Sequence, residues 1–184
     1  RAGAPPRKPP QLRICGPPQS EDDELAAPVY SRWLTEAEPV FTTVLTAPAQ
    51  VELHLSARSS TAEAARARLA RAAANLAALF GDDVLSMDGR TLEEVVGALL
   101  RERGWRIGVA ESCTGGLISA RLTDVAGSSD YIGFNAVCYS NAAKTSVLGV
   151  PAALISAHGA VSDAVALAMA DGIRARAACE IGLG

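Results

Sequence analysis

The chain of 184 residues has few aromatic side chains and no long apolar run, and both shortages narrow its class. Phe, Trp and Tyr make up only 4% of the residues, so a core must be built mainly from Ala, Val, Leu and Ile. No apolar stretch reaches the roughly 20 residues that a membrane-spanning helix needs, and no signal-peptide pattern is present. We therefore expect a soluble, cytoplasmic protein without a membrane partner.

The chain also lacks an excess of basic charge and a metal-binding pattern. It carries 17 Lys and Arg against 20 Asp and Glu, a formal net charge of −3, and the basic residues are spread along it. This balance gives no strong nucleic-acid signal. The four cysteines have no Cys-x-x-Cys spacing and no histidine pair nearby, so we expect reduced thiols, no metal site and no cofactor.

Residues 1–20 are predicted to be a linker or the tail of an upstream domain. Most of the ten prolines lie here. Proline lacks the N–H that a strand ladder needs and disfavours a helix at the residue before it. Residues 12–15 are a candidate short strand that would need a neighbour.

Residues 21–87 are predicted to form a small α+β module that carries no chemistry. A short helix, interrupted by Pro28, comes first. Residues 40–45 and 51–55 are predicted strands, the second with strict alternation of apolar and polar side chains. A helix that Ser60 or Thr61 caps then runs to about residue 80.

Residues 88–184 are predicted to form an α/β domain. A buried strand at residues 105–110 runs straight into a helix that begins at Gly115 and Gly116, and a second strand covers residues 131–139. Two strands joined through a helix should be parallel, with a right-handed crossover. Three more helices and a third strand are predicted at residues 141–148, 151–158, 162–178 and 181–184. The fold class is therefore α/β: a C-terminal α/β/α domain with a largely parallel sheet, preceded by the small α+β module.

The junction between the strand at residues 105–110 and its helix is typical of an anion site. Small polar residues and glycines separate the two elements there. The first N–H groups of a helix have no partner within it and carry the positive end of the helix dipole. We expect them to face a phosphate or an oxyanion in the crevice beyond the strand.

Three side chains near the strand ends predict a nucleophilic centre. Ser112 follows the first strand, Tyr139 ends the second, and Lys144 lies one helical turn further. The carboxyl ends of parallel strands meet at one edge of a sheet. A serine needs a base to remove its proton, and a lysine is that base only as a neutral amine; Tyr139 would relay or orient the proton. The alternatives are a helix cap for Ser112, an amphipathic strand end for Tyr139 and a solvent-facing charge for Lys144.

Five motifs follow one another in the C-terminal half: AESCTGG (110–116), LTD with GSS (122–124, 127–129), YSN with Lys144 (139–141), LGV (148–150) and HGAVS (158–162). Together they resemble the C-terminal domain of the CinA (competence/damage-inducible) family over residues 88–184. The preceding module more loosely resembles the KH-type domain that lies between the N-terminal molybdopterin-binding-like domain and the deamidase domain of that family.

The resemblance implies an amidohydrolase that converts nicotinamide mononucleotide to nicotinic acid mononucleotide and ammonia, in pyridine nucleotide salvage. The serine–lysine dyad of the family falls on Ser112 and Lys144, with Tyr139 beside them. Ser129 is a second candidate for the nucleophile. Substrate-binding or oxyanion roles fall on the glycine-rich segments, at Thr114, Gly115, Gly116, Gly127, Ser128 and Ser129. We also expect a homo-oligomer of the full-length protein.

Two departures from the family pattern are visible. The chain ends at Gly184, where the family continues into a Thr-Gly-Ile-Ala-Gly-Pro segment, so we expect part of the pocket to be absent. Asn135 and Ala142 stand where the family commonly has glycine and glutamate.

The residues leave two other functions open. Cys113 is a candidate thiol nucleophile with His158 as its base. A non-catalytic alternative is a nucleotide-binding or regulatory fragment linked to competence or DNA damage, in which the glycine-rich junction only holds a phosphate. Lys144 separates the two classes, because phosphate binding needs a cation and proton abstraction needs a neutral amine.

Overall fold

The computed structural model describes residues 10–15, 19–37, 39–47 and 50–184. The chain divides into two compact units, of which unit 1 comprises residues 1–92 and unit 2 residues 93–184. The parts of the predicted linker at residues 1–9 and 16–18 lie outside the described residues. None of the helices described combines the length and the apolarity that crossing a membrane requires.

Unit 1 is an antiparallel sheet with two helices packed on it. In spatial order, its strands are β2 (Val40–Ala47), β3 (Gln50–Ala57), β1 (Gln11–Cys15) and β4 (Val84–Ser86). Its helices are α1 (Gln19–Trp33) and α2 (Ala62–Phe80). The alternation predicted for β3 is confirmed, because Val51, Leu53 and Leu55 are buried. Thr61 caps α2 by accepting from the Ala64 N–H at 3.1 Å, as predicted.

The candidate strand at residues 12–15 is confirmed, and Gln11–Cys15 are therefore part of unit 1 rather than of a linker. Strand β1 lies between β3 and β4, and Leu12 and Ile14 are completely buried. The prolines on both sides act only on their own and the preceding residues, so they leave the strand between them intact. Burial of two apolar side chains against the rest of the core stabilises it.

Pro28 does not interrupt helix α1, contrary to the prediction. A proline inside a helix removes a hydrogen bond and costs about 3 kcal/mol. Ala26 and Trp33 of the same helix are buried in the core of unit 1. This packing offsets the local cost and keeps the helix continuous.

The boundary between the units lies at residues 92 and 93, later than the predicted 87 and 88. The turn after β4 belongs to unit 1, because the Gly89 carbonyl accepts from Arg13 Nε at 3.0 Å. The Ser86 hydroxyl also donates to the Arg90 carbonyl at 2.8 Å. These two bonds hold the turn against the sheet.

Unit 2 is a parallel sheet with helices on both faces. In spatial order, its strands are β6 (Ile132–Val137), β5 (Ile107–Glu111) and β7 (Ile181–Leu183). Helices on one face are α3 (Leu92–Arg103) and α4 (Leu117–Thr123). Those on the other are α5 (Asn141–Leu148), α6 (Ala152–His158) and α7 (Asp163–Ala177). The predicted parallel pairing and α/β/α architecture are confirmed.

Gly97 generates a prediction about packing in unit 2. It lies inside α3, although alanine is the better helix former by about 1 kcal/mol. A Cβ atom there would lie 2.8 Å from Tyr131 Oη and 2.9 Å from Tyr131 Cζ. Tyr131 is fully buried and its hydroxyl donates to the Leu122 carbonyl at 3.0 Å, so the ring has little room to move. We expect Gly97→Ala to lower the free energy of unfolding by about 1–3 kcal/mol in urea titrations.

The same change in a Tyr131→Phe background should cost less, because the contact with Oη is removed and the ring, no longer bonded to the Leu122 carbonyl, can shift away from the added methyl group. An equal cost in both backgrounds would contradict the steric explanation.

Candidate active site

Ser112 emerges at the carboxyl edge of the sheet in unit 2. It directly follows β5, the middle strand, which is buried along its whole length. The main-chain carbonyl of Glu111 accepts from the Cys138 N–H at 2.7 Å, which ties the end of β5 to the residue after β6. Ser112 therefore lies beside the chain segment that leads into α5.

Lys144, in α5, lies beside Ser112. Ser140 caps this helix by accepting from the Ala143 N–H at 3.1 Å, and the helix covers the predicted residues 141–148. Lys144 Nζ lies 2.9 Å from Ser112 Oγ, and the lysine side chain is only 1% exposed. The structure therefore brings together two predicted residues that are 32 positions apart.

The remaining contacts of the Lys144 amine are with main-chain carbonyls. Nζ donates to the Cys138 carbonyl at 2.9 Å and to the Tyr139 carbonyl at 3.2 Å. Carbonyl oxygens only accept, whereas the Ser112 hydroxyl can donate. A neutral amine has two N–H donors and one lone pair, so it can satisfy both carbonyls and accept the Ser112 proton. The ion pairs of the described residues do not include Lys144.

Tyr139 contacts this pair through its main chain. Its carbonyl accepts from Lys144, but its side chain is 74% exposed. Within the described part of the chain, its hydroxyl makes no hydrogen bond. The predicted relay through the phenol is therefore replaced by a carbonyl that orients the lysine.

Glu111, to which the sequence analysis assigned no role, occupies the start of α4. Its carboxylate, 2% exposed, accepts from the N–H groups of Gly116 at 3.0 Å, Ile118 at 3.0 Å and Ser119 at 2.8 Å. The Ser119 hydroxyl donates to it at 2.5 Å. An acidic residue directly before a glycine-rich helix start is the signal that could have revealed it, because carboxylates favour helix N-termini.

This carboxylate corrects the prediction that the start of α4 faces a phosphate or an oxyanion. The Gly116 N–H is used by Glu111, and the Gly115 N–H donates within the turn at 3.1 Å. A second anion would also be repelled by the carboxylate. Within the described residues, the N–H groups of Cys113 and Thr114 make no hydrogen bond and remain available to an oxyanion.

Burial raises the pKa of Glu111, but the hydrogen bonds outweigh burial. Donation from the side chain and main chain of Ser119, from the Thr114 hydroxyl and from the Ile118 N–H lowers the pKa from 4.5 to about 2. Glu111 therefore keeps its charge, and its bonds to α4, at neutral pH.

The second glycine-rich segment lies at the opposite edge of the sheet. The 3₁₀ helix Ser128–Asp130 leads into the amino end of β6, where Ile132 pairs with Ile107 at the start of β5. Within one chain, the length of β5, roughly 16 Å at about 3.3 Å per residue, therefore separates this segment from Ser112. Helix α4 returns the chain to that edge. Contrary to the prediction, the structure does not bring these residues to the site: Gly127, Ser128 and Ser129.

A cleft of about 350 Å³ opens beside Ser112. The end of β5, the turn before α4, the loop after α6 and the first turns of α7 line it. Its apolar side chains include Ile118, Val161 and Met169. Cys113 also lines the cleft, but no hydrogen bond joins it to His158 in the described part of the chain, so the thiol alternative lacks its base.

Residues 89–184 match the family model described as the CinA C-terminal domain. The chain belongs to the CinA family. A CinA-like protein of Koribacter versatilis (strain Ellin345) is 43% identical over 174 residues, which are 95% of this chain and 41% of that protein. A CinA-like protein of Solibacter usitatus (strain Ellin6076) is 42% identical over 165 residues, which are 90% of this chain and 39% of that protein.

A solved CinA-family structure also resembles this chain. It is the crystal structure of competence/damage inducible protein CihA from Agrobacterium tumefaciens, with 39% sequence identity and a TM-score of 0.46. The similarity covers 49% of this chain and 53% of that chain. The present chain spans about two fifths of the length of the two CinA-like proteins.

Asn135, one of the two departures expected from the family resemblance, is accommodated by the sheet. Its Oδ1 accepts from the Val109 N–H of the neighbouring strand at 3.2 Å. This side chain therefore joins β5 to β6 in addition to the main-chain pairing of the two strands.

Glu111 generates a prediction about acid stability. Its folded pKa of about 2 is below its ordinary value of 4.5. Its contribution to stability is therefore fully present above about pH 4.5 and is lost as the pH falls towards about 2. Glu111→Gln turns a side-chain N–H group against main-chain N–H donors, so we expect a loss of about 1–3 kcal/mol in the free energy of unfolding at pH 7.

Urea titrations between neutral pH and about pH 2 measure both effects. The variant should lose less stability than the parent protein below about pH 4.5. Glu102→Gln, on the exposed surface of α3, is the matched control and should follow the parent curve. Parallel pH curves for Glu111→Gln and the parent would contradict the assignment.

Proposed function

We propose that this chain is the deamidase part of a CinA protein and hydrolyses the carboxamide of nicotinamide mononucleotide, giving nicotinic acid mononucleotide and ammonia. The observation that carries the proposal is the buried Lys144 amine, 2.9 Å from Ser112 Oγ, with two carbonyls accepting its N–H groups. This arrangement provides a base for the serine. The choice of substrate rests on the activity that the family resemblance implies.

In the first half of the reaction, Ser112 Oγ attacks the carboxamide carbon while its proton passes to Lys144 Nζ. The N–H groups of Cys113 and Thr114 are the free donors that stabilise the resulting oxyanion. Lys144 then gives its proton to the amide nitrogen, the C–N bond breaks and ammonia leaves. An ester between Ser112 and the acyl group remains.

In the second half, a water molecule attacks this ester and passes a proton to Lys144. The bond from the acyl carbon to Ser112 Oγ breaks, and Lys144 returns the proton to that oxygen. The product is a carboxylic acid, which leaves as a carboxylate after its proton passes through solvent to the released ammonia. The cycle consumes one water and releases one ammonia, and the carbonyls of Cys138 and Tyr139 hold Nζ in place throughout.

A regulatory role in which the junction only holds a phosphate gains little support from this geometry. The N–H groups that begin α4 are already bonded to Glu111, whose negative charge opposes a phosphate. The Lys144 amine already contacts Ser112 Oγ and the carbonyls of Cys138 and Tyr139, and none of these contacts is needed to bind a phosphate. Catalysis uses the contact between Lys144 and Ser112 and the turn that Glu111 holds, whereas phosphate binding uses neither.

The proposal predicts that Ser112 and Lys144 act as one unit. In the full-length protein, Ser112→Ala and Lys144→Met should each lower ammonia release from nicotinamide mononucleotide by roughly a thousandfold or more, and the double variant should cost little more. Methionine approximates the volume of the lysine side chain, so the core stays filled. Steady-state assays of ammonia release measure the activity of each variant, and thermal unfolding shows whether the variant is folded.

Two controls accompany these variants. Ser129→Ala, at the opposite edge of the sheet, and Cys113→Ala, next to the nucleophile, should both retain activity. A folded Ser112→Ala protein that remains active would reject the mechanism. Loss of activity in Cys113→Ala alone would favour a thiol nucleophile instead.

A further inference from the structure

The cleft beside Ser112 has one free charged side chain among the described residues that line it. The lining includes two acidic residues, Glu111 and Asp163, and no lysine or arginine. The carboxylate of Glu111 is buried and bonded to α4. Asp163, the first residue of α7, is exposed, and its carboxylate makes no hydrogen bond or ion pair with the described residues.

We propose that Asp163 makes the cleft selective for a carboxamide on a positively charged ring. This inference rests on the proposed function of the same site, and it names the feature of the substrate that the cleft recognises. Ile118, Val161 and Met169 supply apolar surface for the flat faces of such a ring. Val161 is 87% exposed, so a ring in the cleft would cover apolar surface that now faces water.

The charge of the ring also governs its reactivity. A pyridinium ring withdraws electrons from its carboxamide, so the carbonyl carbon becomes a better target for Ser112. A carboxylate in the cleft therefore favours the same ring charge that makes the substrate reactive. Recognition and activation would then depend on one property of the ligand.

The same lining argues against recognition of the phosphate by these residues. A phosphate monoester carries about two negative charges at neutral pH and binds to guanidinium, ammonium or free N–H groups. The described lining offers a carboxylate instead, which attracts a pyridinium and repels a phosphate. Selectivity should therefore depend on the charge of the ring when ribose and phosphate are unchanged.

Two nucleotides that differ in ring charge make the test. Nicotinamide mononucleotide has a cationic pyridinium ring, and its reduced form has a neutral dihydropyridine ring with the same carboxamide, ribose and phosphate. Titration calorimetry on the full-length protein in a Ser112→Ala background measures both dissociation constants without turnover. An exposed ion pair contributes little, so Asp163→Asn should weaken binding of the oxidised nucleotide by about two- to fivefold and leave the reduced one unchanged.

Matched variants control for folding and for general charge. Asp163→Glu keeps the charge and should keep the discrimination between the two nucleotides. Asp171→Asn lies in the same helix, is exposed and is outside the lining, so it should change neither constant. Added salt should reduce the discrimination in the parent protein and have less effect in Asp163→Asn.

Equal weakening of both nucleotides, or of neither, in Asp163→Asn would overturn the inference. Ammonia release by the protein with Ser112 intact is measured separately. Hydrolysis with unchanged discrimination in Asp163→Asn would reject the role of Asp163 and leave the proposed function standing. Absence of hydrolysis together with lost discrimination in Asp163→Asn would reject the function and support the charge selection.

Discussion

The carboxylate of Glu111 positions the whole site. It accepts from the first N–H groups of α4, so the strand, the turn that carries Ser112 and the helix are joined by one side chain. The main-chain carbonyl of the same residue receives the Cys138 N–H, and the Cys138 carbonyl in turn receives the Lys144 amine. Both Ser112 and Lys144 are therefore held in place through Glu111. The negative charge of its carboxylate also occupies the N-terminus of α4, which would otherwise attract an anion.

The periodicity of the sequence predicts those helices and strands whose own residues carry the pattern of a buried face or a cap. The alternation of β3, the cap of α2 and the parallel pair β5 and β6 are of this kind. Strand β1 could be predicted only as a candidate without its partners, and helix α1 only as an interrupted helix, because prolines within or beside them dominate the local pattern. Their stability comes from partners that are distant in sequence, such as β3 and β4 on either side of β1.

Some features of the site could likewise be predicted from local sequence patterns, and others could not. Ser112 and Lys144 could be placed together because each follows a strand that ends at the same edge of the sheet. The distance of Ser129 from them depends on where α4 returns the chain, which the glycine-rich motif does not encode. The contribution of Tyr139 could not be predicted from its side chain, because the contact is made by its carbonyl.

The order of strands in unit 2 has a consequence for folding during synthesis. Strand β5 pairs with β6, which follows it closely along the chain, but its other edge is closed only by β7, near residue 184. A nascent chain that has not yet produced Ile181–Leu183 therefore presents one bare edge of a strand that is buried in the folded domain, and such an edge is a template for wrong pairing with another chain. Long-range parallel pairing is also slow to form. Pairing of β7 is thus a step that protects β5 from aggregation.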